Sequence, residues 1–172
     1  GGNSLHGGVD GFNRRLWQTS VISQGLNPSI CLQLTSEDGD QGFPGQLNAE
    51  VIYTLTEENS LRIEYRASTD QATLYNPTQH SYFNLAGHQS GDIDSHQAHR
   101  ADLQQPFFAA MALETQSGRK LIVNTTMPGM QLYTANFLGS EPVGKEGVSY
   151  QGNGALCFET QFYPDSPNQP HF

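Results

Sequence analysis

The sequence predicts an all-β protein, a large antiparallel β-sandwich, and three observations carry that reading. Apolar side chains recur with a period of two almost everywhere along the chain, which is the signature of half-buried strands. No segment shows the spacing of an amphipathic helix, and no repeat or low-complexity tract interrupts the pattern. Glycine is plentiful at 18 residues while charged residues make up only 15%, a profile of strands joined by polar, neutral loops. At 172 residues the chain suits one domain able to bury a real core.

The elements follow in order. Gly1 and Gly2 run straight into "NSLHGGVDGFNRRLW", a Gly-rich loop with no strand ahead of it, so the chain reads as lacking its true beginning. "SICLQLTS" places Ile30, Leu32 and Leu34 on alternate positions and is a strand. "SEDGDQGFPGQL" is a second loop. "VIYTLT" and "SLRIEYRAS" face each other across "EENS", so residues 51 to 68 form a hairpin. Its second arm sets Leu61, Ile63, Tyr65 and Ala67 against Arg62, Glu64, Arg66 and Ser68. "NPTQHSYFNL" is a strand-like run. "FAAMALETQSGRKLIVNTT" is another hairpin, turning at Ser117 and Gly118. Its first half is rich in alanine, but Pro106 precedes it and Lys120 to Thr126 is strongly β. "QLYTANF" and "ALCFETQF" are further strands, and "FYPDSPNQPHF" is a third loop.

Composition excludes several partners. The net charge is −9 and the eight Lys and Arg are scattered, so no basic patch is available for nucleic acid. No apolar run is long enough to span a membrane, and no signal-peptide pattern opens the chain. Cys31 and Cys157 form no CxxC and stand with no histidine cluster, so no metal is expected. They read as core thiols, which points to a reducing compartment and a cytoplasmic location.

The chemistry lies in the loops and in two strand positions. Loops rich in Gly, aromatic and amide residues suit sugars, whose apolar faces stack on rings and whose hydroxyls bond Asn, Asp, Gln, His and Arg. Plain turn chemistry accounts for "GFPG". His6, in a polar glycine loop, reads equally as a turn residue or a ligand. His80 by itself reads as a half-buried histidine satisfied by nearby backbone. In "ALCFETQF", Leu156 and Phe158 share one strand face while Cys157 and Glu159 share the other, so Glu159 is at an edge or facing a site.

Four motifs in order change the balance: "NSLHGG", "NPTQHSYFNLAG", "MPGMQLYTANFLG" and "CFETQFYPDSPNQPHF". Together with "DGDQGFPGQLNAEVIYTLTEENSLRIEYRAST", they closely resemble the aldose 1-epimerase (galactose mutarotase) family over nearly the whole chain, apart from roughly residues 97 to 108. The resemblance implies a sugar cleft across one sheet of a β-sandwich. It also implies cofactor-free interconversion of the α and β anomers of free aldohexoses such as galactose and glucose, by a monomer or homodimer. Glu159 matches the family's catalytic base and His80 its catalytic acid, with Gln79 where an Asn is common. His6 matches a substrate-contacting histidine, while Tyr82 and Gln131 match positions lining the sugar. Glu159 and His80 are then expected to lie about a sugar ring apart, with Tyr82 beside them.

The chain departs from the family in length. The upstream segment with an "NR" pair and the "YDH" segment are absent, and so is the strand after "NQPHF". Residues 1 to 172 therefore read as one domain, incomplete at the N-terminus, around 97 to 108 and at the C-terminus. A break in the backbone is expected between Gln97 and Phe108. Asp94 and Asp102 lie near that point but match no motif. Three other functions compete. A hexose 6-phosphate epimerase would need a basic cluster, for which Arg14 and Arg15 are the only Arg–Arg pair. A non-catalytic sugar-binding sandwich would need no acid and base. A glycoside hydrolase would need two carboxylates flanking the bond, and Glu159 is the one strong candidate.

Overall fold

Alternating side chains build nine strands among the described residues, which are 4–100, 107–140 and 143–172 of the computed structural model. They fall into two compact units, Gly1–Tyr75 and Asn76–Phe172. Every strand pair is antiparallel. Among the described residues no helix is long and apolar enough to cross a membrane. The all-β expectation holds.

The first unit is one four-stranded sheet in the order β1 (Gln18–Ser23), β2 (Ser29–Ser36), β3 (Leu47–Thr56), β4 (Ser60–Thr69). β3 lies inside the sheet and carries most of its buried apolar side chains: Leu47, Ala49, Val51 and Ile52. β3 and β4 form the expected hairpin, with Val51 opposite Tyr65 and Tyr53 opposite Ile63. Its turn holds Asn59 in the left-handed region, at φ 57°, where Asn is better tolerated than most residues. The apolar face read for β4 is only partly covered. Ile63 and Tyr65 are half-buried, but Leu61 and Ala67 are exposed, because β4 is an edge strand. β1, at the other edge, was not read as a strand, since "QTSVIS" offers no clean alternation and nearly all of it is exposed.

The second unit contains a three-stranded sheet, β5 (His96–Arg100), β6 (Phe108–Glu114) and β7 (Lys120–Asn124), and a two-stranded one, β8 (Gly129–Tyr133) and β9 (Cys157–Gln161). One apolar cluster joins them. Ala110 and Ala112 of β6 pack with Leu156 and with Phe158 of β9, flanked by Phe83, Leu85, Ile93, Leu121, Val123 and Met130. This arrangement explains the alanines of β6: two small side chains, at 2% and 0% exposure, leave room for the Phe158 ring. The interval of the expected backbone break, Gln97 to Phe108, includes residues 101–106, and these, with Asp102 among them, lie outside the described residues.

Two expectations change in this unit. "NPTQHSYFNL" is extended but forms no ladder, apart from a bridge between Phe83 and Leu156. Pro77 has no N–H to give, and side-chain amides replace the backbone. The Asn76 side chain bonds the backbone N–H and C=O of Phe162 (3.0 and 3.4 Å), and Gln79 bonds the Phe158 carbonyl (2.9 Å). The segment therefore runs antiparallel along β9. "QLYTANF" also ends early as a strand. After Tyr133 the chain turns at Ala135, which is fully buried at φ 55° and whose carbonyl accepts from Asn153 N–H (3.1 Å).

Candidate active site

β9 sets the site's floor. Phe158 and, just ahead of the strand, Leu156 enter the core, so period-two geometry turns Cys157 and Glu159 to the opposite face. β8 is paired with it so that Gln131 sits directly opposite Glu159, and Tyr133 opposite Cys157. Directly opposed residues in a sheet bring their side chains within contact range. Two pairs thus place an amide, a phenol, a carboxylate and a thiol on one patch.

The segment along β9 supplies the rest. His80 Nε2 lies 3.6 Å from Glu159 Oε1. The Tyr82 ring is 5.0 Å from the imidazole, centroid to centroid, and the Tyr133 ring stands edge-on to both, at 6.0 Å from His80 and 6.5 Å from Tyr82. The Glu159 side chain is 12% accessible and that of His80 34%, so the carboxylate is recessed and the imidazole faces outward. His80, Tyr82, Gln131 and Glu159 are therefore brought together. The histidine and carboxylate are closer than the sugar-ring separation expected, because Gln79 fastens the residue before His80 to the residue before Glu159.

Cys157 is a buried free thiol, as expected of a core cysteine, and so is Cys31 in the first unit. Burial first, and then the Glu159 carboxylate, push the Cys157 thiol up to about 11, so it stays protonated near neutral pH. It is a neutral wall of the site. Among the described residues no three His, Cys, Asp or Glu side chains are grouped to hold a metal ion.

His6 lies in the first unit. It occupies a turn closed by Gly8 N–H to Leu5 C=O (3.0 Å), with its own backbone at φ 54°. Gly11 fits here because a Cβ at that position would collide with the His6 carbonyl oxygen. Arg15 braces the loop: it bonds the Asp10 carbonyl through Nε (3.1 Å) and Nη2 (2.9 Å) and pairs with Asp40 Oδ1 at 2.8 Å. Hydrogen bonds from Ser36, then Arg15, hold the Asp40 carboxyl below its ordinary range. Arg15 is thus committed to loop structure.

Tyr133 and Gln79 were not singled out as site residues from the sequence. For Tyr133 a signal existed, since it stands two positions after Gln131 and therefore on the same strand face. For Gln79 none did, because its partner lies on a distant strand.

The aldose 1-epimerase family model matches residues 1–108 and 102–172. Galactose mutarotase from Bos taurus is 37% identical over 224 residues, covering 100% of this chain and 64% of that protein. Aldose 1-epimerase from Escherichia coli (strain K12) is 33% identical over 229 residues, covering 100% and 65%. The chain thus spans a little under two thirds of the length of these relatives. An aldose epimerase homologue from C. elegans superposes with a TM-score of 0.82 at 24% identity, covering 98% of this chain and 66% of that one, a likeness of fold.

Proposed function

Because the chain belongs to the aldose 1-epimerase family, we propose that it carries the acid–base centre of an enzyme that interconverts the α and β anomers of free aldohexoses, with galactose and glucose as substrates. The observation that supports this reading most is the His80–Glu159 contact at 3.6 Å, on a patch walled by two tyrosines and Gln131. Mutarotation needs a proton taken from the C1 hydroxyl and another given to the ring oxygen. Both oxygens are attached to the same carbon, so a base and an acid this close together address both.

The roles follow from chemistry. Glu159 removes the hydroxyl proton as the C1–O5 bond breaks and C1 becomes an aldehyde. Protonated His80 delivers its proton to the departing ring oxygen, a task suited to an imidazole, which can both carry and accept a proton. Rotation about C1–C2 presents the other aldehyde face, and reclosure returns both protons to where they began. Tyr82 and Tyr133 offer ring faces and phenols, and Gln131 offers an amide, for the sugar's apolar face and hydroxyls. By the family resemblance, His6 is assigned to sugar binding.

A hexose 6-phosphate substrate fits less well. Arg15, half of the only Arg–Arg pair in the sequence, is engaged by Asp10 and Asp40. The chain reads as one epimerase domain that works in the cytoplasm as a monomer or homodimer, without cofactor or metal. The test is kinetic. In a mutarotation assay Glu159→Gln and His80→Asn should each lower kcat by about a hundredfold or more, the span usual for a lost general acid or base, while KM changes little. His6→Asn should raise KM as well. Near-normal turnover in Glu159→Gln would overturn the base assignment.

A further inference from the structure

We infer that Gln79 is the positioning residue that sets the distance between His80 and Glu159. Its side-chain amide does two things at once. The Nε2 group donates to the Phe158 carbonyl at 2.9 Å, and Oε1 accepts from the Ser81 backbone N–H at 2.8 Å. Gln79 immediately precedes His80, and Phe158 immediately precedes Glu159. One amide therefore grips the backbone on both sides of the histidine and ties it to the peptide unit that carries the carboxylate.

From Ala72 to Tyr82 the chain belongs to no helix or strand. Its nearest backbone anchor to β9 is the reciprocal pair of Phe83 and Leu156, with N–H to C=O distances of 2.9 and 2.8 Å, three residues beyond His80. On the other side the anchor is Asn76 on Phe162. Between those points the extended chain runs beside β9. The Gln79 bridge falls at its middle. Only part of Gln79 is exposed, so its bond to Phe158 is shielded from competing water. Proton transfer requires hydrogen-bond reach, and misplacement by about 1 Å can slow a reaction about a hundredfold. The bridge is thus a rate-setting contact made by a residue that itself transfers no proton.

The inference rests on the acid–base reading of His80 and Glu159, and the experiment separates the two. In the full chain, Gln79→Met keeps the length of the side chain and removes both bonds. It should lower the kcat of mutarotation at least tenfold with KM within about twofold, because the sugar contacts of Tyr82 and Gln131 remain. Amide hydrogen exchange at Ser81 should accelerate at least tenfold while Phe83 N–H, held by Leu156, keeps its protection. If Gln79→Met fails to fold, Gln79→Glu carries the test. Its carboxylate still accepts from Ser81 N–H but cannot donate to Phe158, so Ser81 keeps protection while kcat falls as for Met. A kcat within twofold of the native value in the folded variant would overturn the inference. So would Ser81 exchange left unchanged by Gln79→Met. If the native chain does not accelerate mutarotation, the epimerase reading fails, and exchange at Ser81 and Phe83 still decides whether Gln79 pins the loop.

Discussion

Glu114 shows how a residue can follow the strand pattern and break its chemistry. It shares the β6 face of Ala110 and Ala112 and is only 2% exposed, a position where a carboxylate is costly unless its oxygens are satisfied. The hairpin turn supplies the donors: Gln116 N–H reaches Oε1 at 2.9 Å and Ser117 N–H reaches Oε2 at 2.7 Å. The Ser117 hydroxyl, then these amides, hold the Glu114 carboxyl at about 2, well below its usual range. A depressed carboxyl adds stability above its unfolded value and loses that contribution as pH falls from about 4.5 to about 2. Melting temperature followed from pH 6 downward should therefore drop more steeply in that window for the native chain than for Glu114→Gln. Parallel curves would show that the carboxylate does not anchor the turn. Strand alternation with Ala110 and Ala112 accounts for its covered position, but its amide partners depend on how the turn is folded, which residue types alone do not specify. The same holds at the site. His80, Glu159, Tyr82 and Gln131 were identified through ordered motifs, whereas the Gln79 bridge arises from a contact between distant segments.

At the scale of elements, legibility followed burial on one face. β2, the β3–β4 hairpin and the β6–β7 hairpin were readable because their apolar residues alternate and their turns carry Asn59 or Gly118 in the left-handed region. β5, "HQAHR", was not, because a strand with polar side chains on both faces gives no period. The run before His80 looked like a strand because it is extended, yet side-chain amides hold much of it beside β9. β9 consequently serves as both core strand and floor of the candidate site, with Phe158 in the core beside Glu159. Phe158→Ala should cost about 3–5 kcal/mol, the range for a buried phenylalanine truncated in a packed core, measured by urea unfolding of the full chain. A loss below about 1 kcal/mol would mean that the Ala110–Ala112 face closes over the cavity. Turnover should fall with it, since the strand that positions the carboxylate loses its anchor in the core.

At the scale of the whole molecule, family membership and fold rest on agreement between independent patterns: an all-β strand order, four ordered motifs and relatives at 33–37% identity along the entire chain. The alignments with those relatives extend over 224 and 229 residues, longer than the chain of 172. The proposed anomer exchange through His80 and Glu159 is open to polarimetry of freshly dissolved α-galactose and α-glucose with and without the full chain, no metal or nucleotide added. Optical rotation should relax to the same final value faster than in buffer, at a rate proportional to protein concentration. A trace that matches the buffer control for both sugars would contradict it.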